Sequence, residues 1–112
     1  MDAFIKHRFW VETKEGKFLG DGRIELLELI EKLGSINKAA AEMKMAYRKA
    51  WGLCQSMNEH SSRPLIIQQT GGKRGGGTQV TEDGKRAIKV YRELQKNFEM
   101  YTASQSDLLK TL

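Results

Sequence analysis

Arg48, Lys49 and Gln55 place two cations and one amide within a short segment whose apolar spacing is helical. If residues 47–57 form a helix, apolar side chains at steps of three and four form one buried stripe. The stripe comprises Tyr47, Ala50, Trp51, Cys54 and Met57. Arg48, Lys49, Gly52 and Gln55 are then left on the outward face. Arginine and lysine bond guanine edges and glutamine bonds adenine, so this face has the chemistry to read the DNA major groove.

Residues 35–58 are predicted to form a helix-turn-helix, with Met43 and Met45 flanking the turn. Two positions are unusual for this motif. Lys44 stands in the turn, where glycine is the easiest residue, and Ala46 stands where a capping serine or threonine is expected. Any amphipathic helix has a solvated charged face, so these residues alone leave both a DNA-reading helix and an ordinary surface helix open.

The net charge of +5 is concentrated in the centre of the chain. Residues 38–80 contain seven basic and two acidic side chains, whereas the flanking segments nearly balance. A basic centre suits a surface that neutralises phosphates and releases counterions. The length of 112 residues predicts one domain, residues 1–112, and the single cysteine, Cys54, excludes a disulfide or a four-cysteine zinc site within one chain.

Residues 65–80 are predicted to form a β-hairpin with a mobile glycine-rich tip, GGKRGGG, that exposes Lys73 and Arg74. Such a hairpin is a wing, whose tip can reach the neighbouring minor groove, where narrow A·T tracts attract arginine. Two alternatives stay open. One is an inert surface loop, and the other is a nucleotide phosphate loop, although the segment matches neither common glycine-rich phosphate motif.

Further elements frame this centre. Residues 1–20 are predicted to form a β-hairpin that turns at residues 14–16, and residues 21–34 form a helix that Gly34 ends. Asn37 is the predicted N-cap of the following helix, because its side-chain oxygen can accept a free backbone N–H.

Residues 81–110 are predicted to form a long last helix that Thr81 caps, with apolar side chains at alternating steps of four and three. Residues 82–110 would span about 43 Å at about 1.5 Å per residue, more than a small domain can cover. We therefore predict a homodimer through this seam. Its interface residues are Tyr91, Leu94, Phe98, Tyr101 and Leu108. The alternative is fraying after Tyr101, encouraged by the polar run 102–107.

Catalytic and metal-binding patterns are lacking. His7 and His60 have no converging cysteine, histidine or carboxylate neighbours in the sequence, and no nucleophile has a recognisable base and orienting group. We expect no enzymatic activity, no cofactor and no metal. Because the chain has neither a membrane-spanning apolar run nor a signal core, we expect a cytoplasmic protein without membrane contact.

The element order predicts a mainly α fold with a small β-sheet: a winged helix-turn-helix with an N-terminal β-hairpin and a long C-terminal dimerisation helix. Residues 8–94 resemble the N-terminal DNA-binding domain of the ModE family of molybdate-responsive transcriptional regulators, which is distantly similar to LysR-type regulators. The resemblance is carried by MAYRKAW (45–51) and GGKRGGG (71–77), with GRIELL (22–27), GSI (34–36), AAA (39–41), MN (57–58) and Thr81-x-x-Gly84. Ala46 departs from the serine usual in the family.

This resemblance implies a dimeric, sequence-specific binder of double-stranded DNA that regulates transcription. The positions it assigns to the interface are Tyr47, Arg48, Lys49, Gly52 and Gln55 on the recognition helix and Lys73 and Arg74 on the wing. Full-length relatives bind the oxyanion with additional C-terminal domains, and we expect this chain to lack one. Constitutive regulation, another signal or a separate partner stay open. A winged-helix protein–protein interaction module is the alternative, because fold does not fix function.

Overall fold

The computed structural model describes residues 2–69 and 77–112. The helices are α1 (Asp21–Leu33), α2 (Ile36–Glu42), α3 (Tyr47–His60) and α4 (Glu82–Ser104), followed by a 3-10 helix, Ser106–Thr111. The strands are β1 (Val11–Thr13), β2 (Gly16–Leu19), β3 (Ile66–Gln69) and β4 (Gly77–Val80), which pair as two antiparallel hairpins. The predicted mainly α winged helix-turn-helix is confirmed. Over the described ranges, no helix has the length and apolar character needed to cross a lipid bilayer.

Helix α1 has its predicted bounds and supplies the centre of the core. Gly34 adopts a left-handed φ of 71° and donates its N–H to the Ile30 carbonyl at 2.7 Å, which ends the helix as expected for glycine. The fully buried side chains of α1 pack with residues from α2, α3 and α4 and from β2, β3 and β4. They are Ile24, Leu26, Leu27 and Ile30.

Helix α2 begins after Ser35, so the predicted N-cap at Asn37 is wrong. The Ser35 hydroxyl accepts the N–H of Lys38 at 3.1 Å, and the backbone of Ser35 is extended directly after the left-handed Gly34. In the following turn Lys44 has a φ of 53°, a conformation that costs lysine more than glycine. Ala46 precedes α3 without a side-chain cap. Lys44 therefore lies in the turn and Ala46 lies directly before α3, as the sequence predicts.

The N-terminal hairpin is shorter than the predicted 1–20. Residues 2–10 lie outside regular strands, and the β1–β2 pairing is irregular between Val11 and Glu12. The reason is packing against α4. The Phe9 ring lies 4.7 Å from the ring of Tyr91 and 4.7 Å from that of Phe98, so this segment is held by aromatic contacts instead of strand pairing.

Helix α4 begins as predicted, because the Thr81 hydroxyl accepts the N–H of Gly84 at 3.1 Å. It ends at Ser104, so the continuous helix predicted to residue 110 is wrong. The Thr102 hydroxyl donates to the Phe98 carbonyl at 3.0 Å and the Ser104 hydroxyl to the Tyr101 carbonyl at 2.6 Å. Such bonds offer the backbone an alternative to a further helical turn, and the chain continues as a 3-10 helix.

Candidate nucleic-acid interface

The inward face of α3 is fixed in the core by its small and apolar side chains. Ala50, Cys54 and Met57 are buried, as the stripe predicts, and burial raises the pKa of the Cys54 thiol to about 11. Tyr47 and Trp51 are 47% and 42% exposed, so their assignment to the buried stripe is wrong. Both rings lie at the edge of the stripe, on the flank of α3 that faces β3.

The outward face of α3 is open to solvent. Arg48, Lys49, Gly52 and Gln55 are all exposed, and an added Cβ at Gly52 would meet nothing within 4 Å. The polar side chains of this face make no hydrogen bond or ion pair with any other residue in the part of the chain that the structure describes. Two cations and one amide are therefore free to contact a ligand.

Among the described residues, no carboxylate is paired with a cation of α2 or α3. The ion pairs within residues 2–69 and 77–112 involve α1, α4, Arg63 and the 3-10 helix, and none involves α2 or α3. Arg63 is paired with Asp83 at 2.9 Å. Four basic residues at the chain centre are therefore not paired with a carboxylate among the described residues: Lys38, Lys44, Arg48 and Lys49.

The wing is attached to α3 by one asparagine. Strands β3 and β4 pair from Ile66 with Val80 to Gln69 with Gly77, so the hairpin stem returns at the predicted residues. The Asn58 side chain accepts the N–H of Leu65 at 2.8 Å and of Ile66 at 3.2 Å, and it donates to the Ile66 carbonyl at 2.9 Å. This role of Asn58 is not predicted by the sequence patterns above; the available signal is a polar residue on the β3-facing flank of α3, just before the helix ends.

The predicted wing cations, Lys73 and Arg74, lie outside the described residues. The stem below them has a second attachment, in which the Thr78 N–H donates to the Gly34 carbonyl at 3.1 Å. The stem is thus tied to α3 on one side and to the α1–α2 junction on the other.

A cleft of about 300 Å³ lies between this stem and the helix-turn-helix. Its polar walls are formed by Ser35, Asn37, Tyr47, Gln68, Gln69 and Thr78, and we call this set the neutral cleft because none of the described residues that line it is charged. A smaller cleft of about 190 Å³ adjoins it, and Gln68 lines both. Trp51 and Gln55 line the smaller cleft on the α3 side. No sequence motif pointed to either cleft, because they form between segments distant in the chain.

The outer side of α4 carries an exposed apolar stripe. Of the predicted dimer residues, Leu94, Phe98, Tyr101 and Leu108 are exposed, and Val90 extends the stripe. Tyr91 is fully buried, with its hydroxyl 2.8 Å from Asp21 Oδ1 and 3.1 Å from the Phe9 carbonyl. Its assignment to the dimer seam is therefore wrong, because no part of the residue is accessible to a second subunit.

Both histidines have packing partners. His7 lies 5.9 Å from the Phe98 ring, and His60 Nδ1 lies 2.6 Å from the Ser56 carbonyl, with the Phe18 ring 6.4 Å away. Among the described residues, no group of three or more histidine, cysteine, aspartate or glutamate side chains is arranged to hold a metal ion.

Comparison with known proteins gives the chain its relatives. It is 41% identical over 92 residues to the molybdenum transport protein ModE of Azotobacter vinelandii, covering 82% of this chain and 34% of that protein. It is 38% identical over 89 residues to the transcriptional regulator ModE of Haemophilus influenzae, covering 80% and 35%. It is 35% identical over 106 residues to the DNA-binding transcriptional dual regulator ModE of Escherichia coli, covering 91% and 40%.

The chain spans between 34% and 40% of the length of these three relatives. No protein-family model matches it. The identities extend over most of the chain and confirm the resemblance carried by its recognition-helix and glycine-rich segments: the chain belongs to the ModE family.

Proposed function

We propose that this chain binds double-stranded DNA sequence-specifically and regulates transcription. The observation that carries the proposal is the outward face of α3, where Arg48, Lys49 and Gln55 are exposed without partners in the described part of the chain. With α3 in the major groove, these side chains have the donors to bond guanine and adenine edges. Gly52, between them, lets the helix backbone approach the bases closely.

The names of the relatives support the same function. The Haemophilus influenzae relative is named a transcriptional regulator and the Escherichia coli relative a DNA-binding transcriptional dual regulator. We extend DNA binding and regulation to this chain because the segment shared with them contains its helix-turn-helix. Among the described residues, no ion pair neutralises the cations of this helix-turn-helix.

We further propose that the DNA-binding form is a homodimer. The stripe of Val90, Leu94, Phe98 and Tyr101 follows one side of α4 and exposes apolar surface. Burying such a stripe against its symmetry mate is favourable at about 25 cal/mol per Å². A two-fold dimer would present two copies of α3 to successive major grooves, about 34 to 36 Å apart on a palindromic site.

The dimer is tested by sedimentation. Leu94→Glu places a charge in the stripe and should convert the dimer to a monomer, because a carboxylate is costly to bury at an apolar interface. Met100→Glu makes a comparable change on another flank of α4 and should leave the dimer intact. A wild-type protein that sediments as a monomer at all concentrations would exclude the dimer.

DNA binding is tested by selecting duplexes from random DNA and measuring their affinity by fluorescence anisotropy across salt concentrations. Arg48→Ala should cost about 1 to 3 kcal/mol and relax base preference at one position, whereas Lys73→Ala should weaken all sequences alike and lower the salt slope by about one. Lys96→Ala, which removes a cation from α4, is the charge-matched control and should change neither.

Two results would contradict the proposal. Binding that does not change between low and physiological salt would mean that no phosphates are neutralised. Selection without an enriched sequence, together with competition by an acidic polypeptide but not by oligonucleotides, would instead identify a protein-interaction module.

A further inference from the structure

We infer that the neutral cleft binds one phosphodiester group of the DNA backbone, through uncharged donors that add affinity without adding to the salt dependence of binding. This inference rests on the proposed function. It assigns Tyr47 to the backbone and adds Asn37, Gln68 and Thr78 to the interface.

The position of the cleft suits a backbone phosphate. It lies between α3, proposed to enter the major groove, and the β3–β4 stem, whose tip is proposed to reach the adjacent minor groove. Neighbouring major and minor grooves of a duplex are separated by a single sugar-phosphate strand. A protein that occupies both grooves therefore has that strand running between its helix and its wing, where the cleft opens.

In the part of the chain that the structure describes, the cleft also holds unpaired hydrogen-bond donors that suit a phosphate. The side chains of Asn37, Tyr47, Gln68 and Thr78 each carry an N–H or O–H group, and none has a hydrogen-bond partner within residues 2–69 and 77–112. The Ser35 hydroxyl accepts the Lys38 N–H at 3.1 Å and keeps its own hydrogen to donate. Phosphodiester oxygens only accept hydrogen bonds, and neutral side chains of these types commonly contact them.

The charges around the cleft favour an anion. None of the described residues that line it is a carboxylate, so an entering phosphate meets no like charge from them. Lys38 and Arg48 are the sequence neighbours of Asn37 and Tyr47, and both are exposed without an ion pair among the described residues. Cations on α2 and α3 attract the backbone at long range, while neutral groups inside the cleft supply directed hydrogen bonds.

The walls of the cleft are held before any ligand arrives. The three hydrogen bonds of Asn58 fix β3 against α3, and the bond from Thr78 to the Gly34 carbonyl fixes β4 against the start of α2. Asn58 lies on the same flank of α3 as Tyr47 and Trp51, so this flank is the one the wing stem faces. Groups held in place in advance lose less conformational freedom on binding.

The test compares variants on a duplex selected for the wild-type protein. Tyr47→Phe and Gln68→Ala should each weaken binding about tenfold, the loss expected for one hydrogen bond to a charged group. The loss should be equal for selected and random duplexes, and the salt slope should stay unchanged because no cation is removed. Gln105→Ala makes the same chemical change as Gln68→Ala directly after the end of α4, outside the neutral cleft, and should bind as wild type.

Phosphate substitution locates the contact. Duplexes in which one phosphate at a time is replaced by uncharged methylphosphonate should reveal one backbone position where wild-type binding weakens. At that position Tyr47→Phe and Gln68→Ala should lose little further, because the charge that their missing donors would bind has already gone. Asn37→Ala serves as a further variant, since Asn37 is exposed on α2 and makes no bond in the described fold that its loss would break.

The possible outcomes separate the two proposals. A wild-type protein that binds no duplex would overturn the proposed function itself. A wild-type protein that binds with normal salt dependence, while the cleft variants bind equally well or lose a unit of slope, would overturn only the inference. Inorganic phosphate that perturbs the Tyr47 and Gln68 resonances as strongly as duplex DNA would identify a free-anion site and would also overturn it.

Discussion

Replacing Gly52 with alanine should stabilise the fold and weaken DNA binding at the same time. Gly52 lies in the interior of α3, where glycine is less favourable than alanine by about 0.8 to 1.0 kcal/mol. An added Cβ would meet nothing within 4 Å, so no steric cost offsets this gain. On the proposed interface the same methyl group would hold the helix away from the bases.

The expected gain in the free energy of unfolding is therefore about 0.8 to 1.0 kcal/mol, or about 3 to 6 °C in melting temperature for a domain of this size. Urea and thermal denaturation measure it. DNA affinity should fall about tenfold, which corresponds to about 1.4 kcal/mol. Gly22→Ala also meets nothing within 4 Å but lies on α1, so it should leave DNA affinity unchanged.

Gly84→Ala provides the opposite control. Its Cβ would lie 2.4 Å from the Leu65 carbonyl oxygen and 2.6 Å from Val80 Cγ1, so the backbone has to shift. We expect a loss of about 1 to 3 kcal/mol, as for other overpacked sites. If Gly52→Ala destabilised the fold, the open environment assigned to Gly52 would be refuted. If the Gly52→Ala protein were more stable but bound DNA with wild-type affinity, Gly52 would not be the position where α3 comes closest to the bases.

Three further predictions concern the interior. Asn58→Ala removes three hydrogen bonds between α3 and β3 and should cost about 2 to 3 kcal/mol in urea denaturation, whereas Asn58→Asp keeps the two acceptor bonds and should cost less. Burial, and then the hydrogen bond to Asp21, raise the pKa of Tyr91 from 10.0 to about 12. The folded state therefore favours the protonated phenol, and the contribution of Tyr91 to the free energy of unfolding is complete below pH 10 and is lost as pH rises through 12. Tyr91→Phe should be less stable at neutral pH and should not show that alkaline loss; an identical alkaline loss in both proteins would contradict this. Because Cys54 is buried and its pKa is raised to about 11, it should react with a thiol reagent only when the protein unfolds, and rapid reaction of the native protein would place it nearer the surface.

The bounds of α1 follow from the sequence because two signals coincide there. The apolar period ends at Leu33, and the glycine that follows can adopt the left-handed conformation that closes a helix. The next N-cap was harder to predict, since Ser35 and Asn37 can both accept a backbone N–H. The choice depends on how Gly34 directs the chain, and composition does not contain that information.

The candidate site was predictable where it depends on one helix. The periodicity of α3 predicts that Arg48 and Gln55 point away from Cys54, and the structure agrees. Whether the rings of Tyr47 and Trp51 are covered depends on β3, which lies beside the edge of the apolar stripe of α3. Periodicity within one helix therefore located the exposed cations but could not locate the cleft beside them.

The heptad series of α4 predicts its apolar side but not the partner of that side. A repeat of apolar residues shows which side of a helix is buried but not what buries it. Tyr91 is covered by Phe9, which precedes it by 82 residues, while Leu94 and Tyr101 stay exposed. The early termination of α4 depends on hydroxyl groups that compete for the backbone, and the polar run 102–107 was the only warning of it.

The two attachments of the β3–β4 stem, at Asn58 and at Gly34, set the width of the opening between α3 and the wing. Because this opening is fixed, the DNA has to change its shape to fit the protein. For a duplex, the required bending or groove narrowing differs in energy from one sequence to another, so operators would be distinguished partly by stiffness. Base pairs that no side chain touches would then contribute to the choice of operator.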